Sequence, residues 1–86
     1  ETALSAYANA LRRREALAAA RNEAEVAARI VRAQQREGQV DSLALLDAER
    51  TFAEAEAALS DMNGQLVTTQ IDLFRALGGS WNNGNG

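Results

Sequence analysis

The sequence predicts an all-α protein folded as one long antiparallel helical hairpin, a two-helix coiled coil. Three observations support this fold class. Residues 2–37 contain neither glycine nor proline and consist mainly of strong helix formers. In the second half of the chain, large apolar residues recur every seven positions. Between the two halves, only a few residues around Gly38 interrupt the helical pattern.

The first predicted helix covers residues 2–37 and would be roughly 54 Å long at 1.5 Å per residue. One stripe of a seven-residue repeat runs along it, formed by Ala3, Ala10, Leu17, Ala24 and Val31. We expect a weaker partner stripe, interrupted by one arginine, at Ala6, Arg13, Ala20 and Ala27. Nineteen of the 86 residues are alanine. The two helices should therefore pack closely over a small apolar area.

The second predicted helix covers residues 41–77 and has the stronger pattern. One stripe of large apolar residues consists of Leu45, Phe52, Leu59, Leu66 and Leu73. The complementary stripe, three positions further on, consists of Ala48, Ala55, Met62, Thr69 and Ala76. A strict seven-residue period predicts a left-handed supercoil between packed helices.

Asn63-Gly64 is a common turn signal and leaves a second fold open. A break there would give three helices in a compact bundle. However, the repeat passes from Leu59 to Leu66 without a change of phase, which favours one continuous helix. Gly64 would then cost about 1 kcal/mol relative to alanine. A glycine at this place can also mark the close approach of a neighbouring helix.

The predicted tip of the hairpin is residues 38–40. Gly38 suits the left-handed residue that ends a helix. Asp41 is expected to cap the start of the second helix by accepting hydrogen bonds from its free amides. Val40 and Leu45 are spaced to form a hydrophobic staple. Because so short a connection joins two long helices, they must run antiparallel.

The chain ends suggest where the hairpin stops. Gly78-Gly79 is expected to end the second helix, so that the hairpin unit is residues 1–79. The polar, glycine-rich residues 80–86 are expected to be a disordered tail. The helical pattern is already under way at Glu1, which suggests a piece of something longer.

Composition argues against several function classes. The net charge of −3 gives no electrostatic reason to expect nucleic acid. The cluster of Arg12, Arg13 and Arg14 is expected to be a solvated helix face. With no cysteine and no histidine, disulfides, zinc fingers and histidine catalysis are excluded. No apolar run approaches the roughly 20 residues of a membrane-spanning helix.

An enzyme is the weakest functional hypothesis, and we expect no cofactor and no metal. Four acidic residues could be imagined as a metal or acid-base set: Glu49, Glu54, Glu56 and Asp61. Carboxylate metal sites in helical bundles usually pair glutamate with histidine, which is absent here. A solvated acidic face is the favoured interpretation of these residues.

The run REGQVDSLALLDAERTFAEAEAALSDMNGQLVTTQIDLFRALGGSW resembles the carboxy-terminal repeat of TolC-like outer-membrane factors, and is most similar to the NodT-type outer-membrane lipoproteins of tripartite efflux pumps. The matching residues are Gly38, Asp41, Leu43, Leu45, Leu46, Asp47, Ala48 and Arg50, followed by Ala76, Leu77, Gly78, Gly79 and Trp81. The sequence departs from the pattern at three positions. Gln35 stands in place of a tyrosine, Ser80 in place of a third glycine, and Ala44 where some members carry an additional aspartate.

The resemblance implies a location and an assembly. The full protein would be a homotrimer with a β-barrel in the outer membrane of a Gram-negative cell and a long α-helical barrel in the periplasm. This chain would be the lower part of one periplasmic hairpin and would contain none of the barrel strands. Its tip would meet the hairpin tips of the periplasmic adaptor (membrane fusion) protein. An inner-membrane pump would drive drugs or other small molecules through the assembled duct.

Two sets of site residues follow from the hairpin and the resemblance. The tip residues Glu37, Gly38, Gln39 and Val40 are predicted to bind the adaptor, since helix ends leave amides and carbonyls unpaired. Asp47 resembles the acidic residue near the closed channel mouth. A ring of three such carboxylates would attract cations and could hold ion-pair latches shut. The plainer interpretations are that Gly38 is a turn glycine and that Asp47 is a solvated acid at a helix start.

A generic oligomerising coiled coil without a transport role is the rival hypothesis, because the heptads alone explain every apolar residue. It predicts that the tip sequence can be replaced without loss of export. Under either hypothesis, an isolated hairpin exposes a second apolar edge. We therefore expect the chain to self-associate into a four-helix arrangement of two hairpins.

Overall fold

The computed structural model describes the backbone of residues 2–85 and the side chains of residues 2–78. It contains two helices, α1 (Ala3–Arg36) and α2 (Ser42–Asn85). They lie side by side in a rod measuring 69 × 17 × 15 Å, and residues 2–85 contain no strand. The sequence-based prediction of a long antiparallel hairpin is confirmed. Neither helix, over the residues described, is long and apolar enough to cross a membrane.

Thr2 caps the start of α1 with its side chain and its backbone carbonyl. The Thr2 hydroxyl oxygen accepts a hydrogen bond from the Ser5 amide at 3.0 Å, and the Thr2 carbonyl accepts one from the Ala6 amide at 3.0 Å. Thr2 has the extended backbone of an N-cap residue. This cap satisfies one of the amides that a helix start leaves without a partner.

α2 runs without a break through Asn63 and Gly64, which rejects the three-helix alternative. Asn63 is helical, and its side-chain oxygen accepts a hydrogen bond from Arg14 on α1 at 2.7 Å. The suggestion that Gly64 marks the close approach of a neighbouring helix is wrong within this chain. A Cβ built at Gly64 would meet nothing within 4 Å.

The carboxyl-terminal part of α2 differs from the prediction that the helix stops at Gly78-Gly79. α2 extends to Asn85, and Gly78 lacks the positive φ that a left-handed helix end requires. Glycine without such a φ weakens a helix but does not end it. The prediction of disorder for residues 80–86 concerns positions whose side chains lie outside the described part, and it stays a prediction.

The seam between the helices confirms both stripes of α2, whose residues are buried or half-buried apart from the exposed Ala76. The first α1 stripe also lies in the seam. The second α1 stripe was predicted wrongly, because Ala6, Arg13, Ala20 and Ala27 are all exposed. Its place is taken by residues one position later: Tyr7, Arg14, Arg21, Ala28 and Gln35. Long polar side chains can fill these positions because their stems pack while their heads reach outward.

The core of the hairpin is thin. Among the described residues, only Ala10, Ala28 and Met62 are buried, and no buried residue is polar or charged. Each of two helices that lie side by side covers only one face of the other. Most apolar side chains therefore remain partly in water. The register of the hairpin therefore depends on polar pairs as well as on apolar contact.

Candidate functional site at the hairpin tip

The turn after α1 is a Schellman motif built by backbone hydrogen bonds. Gly38 has φ = +77°, in the left-handed region. Its amide donates to the Gln35 carbonyl at 3.0 Å, and the Gln39 amide donates to the Gln34 carbonyl at 2.8 Å. These bonds satisfy two of the carbonyls that the end of α1 would otherwise leave free.

Asp41 begins α2 as predicted. Its carboxylate oxygen accepts a hydrogen bond from the Ala44 amide at 3.0 Å. The Asp41 carbonyl also accepts one from the Leu45 amide at 3.4 Å. A negative charge at this place is favourable, because the helix dipole is positive at its amino end. The prediction of an N-cap at Asp41 is confirmed.

The structure places the four predicted tip residues together at one end of the rod. Glu37, Gly38 and Gln39 are exposed, and Val40 is half-buried. Leu45, which the sequence pairs with Val40 in a staple, is also half-buried. The exposed groups at the tip are thus one carboxylate, one amide side chain and the backbone of a glycine.

An ion pair joins the two helices just behind the tip. Arg32 Nη2 lies 2.9 Å from Glu49 Oε2, and both side chains are about half exposed. Arg32 is four residues before the end of α1 and Glu49 is seven residues after the start of α2. This pair links the two helices near the tip and, at this exposure, contributes about 0–1 kcal/mol. The sequence analysis missed it, because Glu49 was considered only as a member of a solvated acidic face.

Asp47 is exposed on α2, and its nearest charged partner is in the same helix. Its Oδ1 lies 2.9 Å from Arg50 Nη2, and the Arg50 and Asp47 side chains are 72% and 68% exposed. Ion pairs at this exposure contribute about 0–1 kcal/mol, so the pair can open easily. The three-residue spacing of an aspartate and an arginine on a helix is the signal that could have predicted it. A shallow depression beside the tip is lined by Asp41, Leu43, Ala44, Leu46, Asp47 and Arg50.

A polar ladder crosses the seam at seven-residue intervals. Its three rungs are Tyr7 with Gln70 at 3.3 Å, Arg14 with Asn63 at 2.7 Å, and Arg21 with Glu56 at 3.3 Å. The residue numbers of each rung add to 77, so the two residues of any rung lie equally far along the chain from a midpoint between Gly38 and Gln39. The ladder therefore fixes the same register along the rod that the turn fixes at the tip.

A metal site was one interpretation of the acidic residues on α2. Within residues 2–78, no group of three or more acidic side chains is placed to hold a metal ion. Glu49 and Glu56 of the predicted acidic face are each paired with an arginine of α1. The arginine cluster is only partly a solvated face. Arg12 and Arg13 are exposed, but Arg14 is half-buried in the seam.

Comparison with known proteins finds a relative of this hairpin. Outer membrane protein OprJ of Pseudomonas aeruginosa is 39% identical to the chain over 80 residues, which is 92% of the chain. The aligned part is only 17% of that relative's length. No family model matches the chain, and no solved structure matches it significantly. The resemblance observed in the sequence is confirmed by this match. Over nearly its whole length, the chain is therefore similar to a segment of an outer-membrane protein.

Proposed function

We propose that this chain is a periplasmic hairpin of an outer-membrane efflux channel, and that its tip docks the adaptor of a tripartite export pump. The channel would be a homotrimer, and the inner-membrane pump would act on it through the adaptor. The observation that carries the proposal is the exposed turn at the end of a 69 Å rod, in a chain related to an outer-membrane protein. A rod of this shape presents its turn at a distance from whatever holds its base.

The chemistry of the tip suits recognition by a second helical tip. Its turn is closed by backbone hydrogen bonds, so the exposed side chains of Glu37 and Gln39 remain available to a partner. Gly38 has no side chain and has open space beside it, so another backbone can approach it closely. A carboxylate, an amide and a bare backbone form a small polar surface that an adaptor tip can bind by hydrogen bonds.

Asp47 would act at the channel mouth. Three Asp47 carboxylates, one from each subunit, would form a ring that attracts cations and supports ion pairs between subunits. Arg50 offers each Asp47 a partner within its own helix at 2.9 Å. A latch between subunits would therefore compete with a weak local pair, and the two arrangements would differ little in free energy.

Exchange of the tip in the full-length protein tests the docking proposal. Glu37 and Gln39 would be changed together to alanine, with Gly38 kept so that the turn still closes. We expect loss of export of a fluorescent pump substrate, while the amount of trimer in the outer membrane is unchanged. The matched control is the change of two exposed residues in mid-hairpin, Glu15 and Glu23, to alanine. Normal export by the tip variant would support the generic coiled coil instead.

The channel-mouth role of Asp47 has its own test. Asp47→Ala should make cells more sensitive to a large antibiotic that a closed channel excludes, because the carboxylate ring is lost. Glu54→Ala is the control, since Glu54 is one heptad further along the same face of α2 and is also exposed. Equal sensitivity of the two variants would reject Asp47 as a gate residue while leaving the docking proposal intact.

A further inference from the structure

Asn63-Gly64 is a chemically reactive pair inside α2. The side-chain amide of an asparagine can be attacked by the backbone nitrogen of the next residue. The attack is fastest when that residue is glycine, because no Cβ obstructs it. Within residues 2–78 this is the one asparagine followed by glycine, since Asn9 precedes alanine and Asn22 precedes glutamate. Asn63 is also exposed, so a susceptible sequence coincides with access to water.

The helical state of α2 protects Asn63 from this reaction. In an α-helix the amide of each residue is bonded to the carbonyl four positions earlier, which holds the Gly64 nitrogen away from Cγ of Asn63. The Asn63 side chain is held as well, because its Oδ1 accepts a hydrogen bond from Nε of Arg14 at 2.7 Å. The reaction therefore requires that the turn around Asn63 opens first.

Residues 63–69 form a weak stretch of α2. Five of these residues are poor helix formers: Asn63, Gly64, Val67, Thr68 and Thr69. The hydroxyls of Thr68 and Thr69 donate to the carbonyls four positions earlier, at 3.3 and 2.9 Å, and such bonds weaken or bend a helix. Residues 63–65 are all exposed, so their opening breaks little apolar contact. The turn around Gly64 can therefore open while the rest of the hairpin stays paired.

We propose that Asn63 is a site of spontaneous deamidation, reached through local opening of α2 around Gly64. The Gly64 nitrogen loses its proton and bonds to Cγ of Asn63, and the side-chain nitrogen leaves as ammonia. A five-membered succinimide ring results. Water then opens the ring at one of its two carbonyl carbons, which leaves aspartate or isoaspartate at position 63. The overall change is the loss of one ammonia and the gain of one water, with no oxidant or reductant.

The two products affect the polar ladder differently. Aspartate keeps the helical backbone and turns the neutral rung at Arg14 into an ion pair. Isoaspartate adds one carbon to the backbone, which displaces the rest of α2 from the register of α1. The rung of Tyr7 with Gln70 lies beyond position 63 and should be lost. The rung of Arg21 with Glu56 lies nearer the tip and should remain. The inference concerns the shaft of the hairpin and does not rest on the proposed function.

Incubation of the folded chain at neutral pH tests the proposal, with mass spectrometry of the tryptic peptide of residues 51–75 as the measurement. Asn63 is the only asparagine in that peptide, so no other asparagine of the chain interferes. We expect conversion to aspartate and isoaspartate, about tenfold or more slower than in urea, because only the locally open fraction reacts. No conversion in the folded chain, or equal rates with and without urea, would overturn the proposal.

Three variants distinguish local opening from unfolding of the whole hairpin. Arg14→Ala removes the bond that holds the Asn63 side chain and should speed conversion about fivefold, as expected for the loss of one side-chain hydrogen bond. Arg13→Ala removes the same charge from an exposed position and should leave the rate unchanged. Asp41→Ala weakens the hairpin at the cap of α2, far from Asn63, and should also leave the rate unchanged. Equal rates in Arg14→Ala and Arg13→Ala, or acceleration by Asp41→Ala, would overturn the proposal.

Discussion

Arg21 Nη2 on α1 lies 3.3 Å from Oε2 of Glu56 on α2, at the rung of the polar ladder that is closest to the tip. The same guanidinium is 5.1 Å from the centre of the Phe52 ring and donates a hydrogen bond to Glu25 at 3.0 Å. One arginine thus contacts a carboxylate of each helix and an aromatic face. Because the apolar core is thin, we expect this polar residue to contribute to the stability of the hairpin.

Arg21→Ala should lower the free energy of unfolding by about 1–2 kcal/mol, because it removes exposed ion pairs and a cation–π contact together. Arg21→Lys should lose about half as much, since lysine keeps the charge but cannot stack or bind two carboxylates at once. Urea unfolding followed by circular dichroism would measure both. Arg13→Ala, the same change at an exposed position of α1, should cost less than about 0.5 kcal/mol. Equal losses at positions 13 and 21 would contradict this assignment.

Alanine should have opposite effects at the two glycines of the hairpin. Gly38→Ala should destabilise the chain by about 1 kcal/mol, because φ = +77° is strained for any residue with a Cβ. Gly64→Ala should stabilise it by about 0.5–1 kcal/mol, since Gly64 is helical and has open space around it. Thermal unfolding at a concentration that keeps the chain monomeric would compare them. Stabilisation by both changes would show that the turn at Gly38 can relax.

The cap at Asp41 should contribute measurably to α2. Asp41→Ala removes the acceptor for the Ala44 amide and should cost about 1 kcal/mol. Asp41→Asn should recover most of that loss, because asparagine caps helices about as well as aspartate. The amide hydrogen exchange of Ala44 provides a local measurement. Faster exchange in Asp41→Ala, but not in Asp41→Asn, is the expected result.

Two adjacent alanines test which stripe of α1 faces α2. Ala28 is 2% exposed in the seam, so Ala28→Leu should destabilise the hairpin by about 1–3 kcal/mol through overpacking. Ala27 is exposed, and Ala27→Leu should change the stability by less than about 0.5 kcal/mol. Chemical denaturation would measure the free energy of unfolding of both variants. A larger loss for Ala27→Leu than for Ala28→Leu would support the stripe that the sequence predicted.

The reason for the wrong α1 stripe is physical. A seven-residue repeat has contact positions separated alternately by three and four residues. The stripe at Ala3 therefore has two possible partners, one at Ala6 and one at Tyr7. Apolarity alone favoured the stripe that starts at Ala6 and is mostly alanine. The stripe that starts at Tyr7 contains the polar residues Arg14, Arg21 and Gln35. In the structure the stripe that starts at Tyr7 faces α2, because Arg14 and Arg21 form hydrogen bonds across the seam.

α2 could be predicted more fully, because its stripes are apolar at nearly every turn. The turn was also predictable, since Gly38 and Asp41 act through local backbone geometry that a sequence expresses directly. Cross-helix pairs such as Arg32 with Glu49 were not predictable. Their partners are 17 residues apart in the chain, and only the hairpin register brings them together. The same holds for Arg14 with Asn63, which a sequence pattern alone presents as a turn signal.

The Schellman turn at the tip has an evolutionary consequence. Its two closing bonds join main-chain atoms, and the residues that usually add an apolar contact to this motif are here Gln34 and Gln39. Apart from Gly38 and Asp41, the identities of the side chains around the bend contribute little to folding. Folding therefore places little constraint on residues such as Glu37 and Gln39. The surface at the end of such a stalk can change by a few substitutions while the shaft keeps its fold.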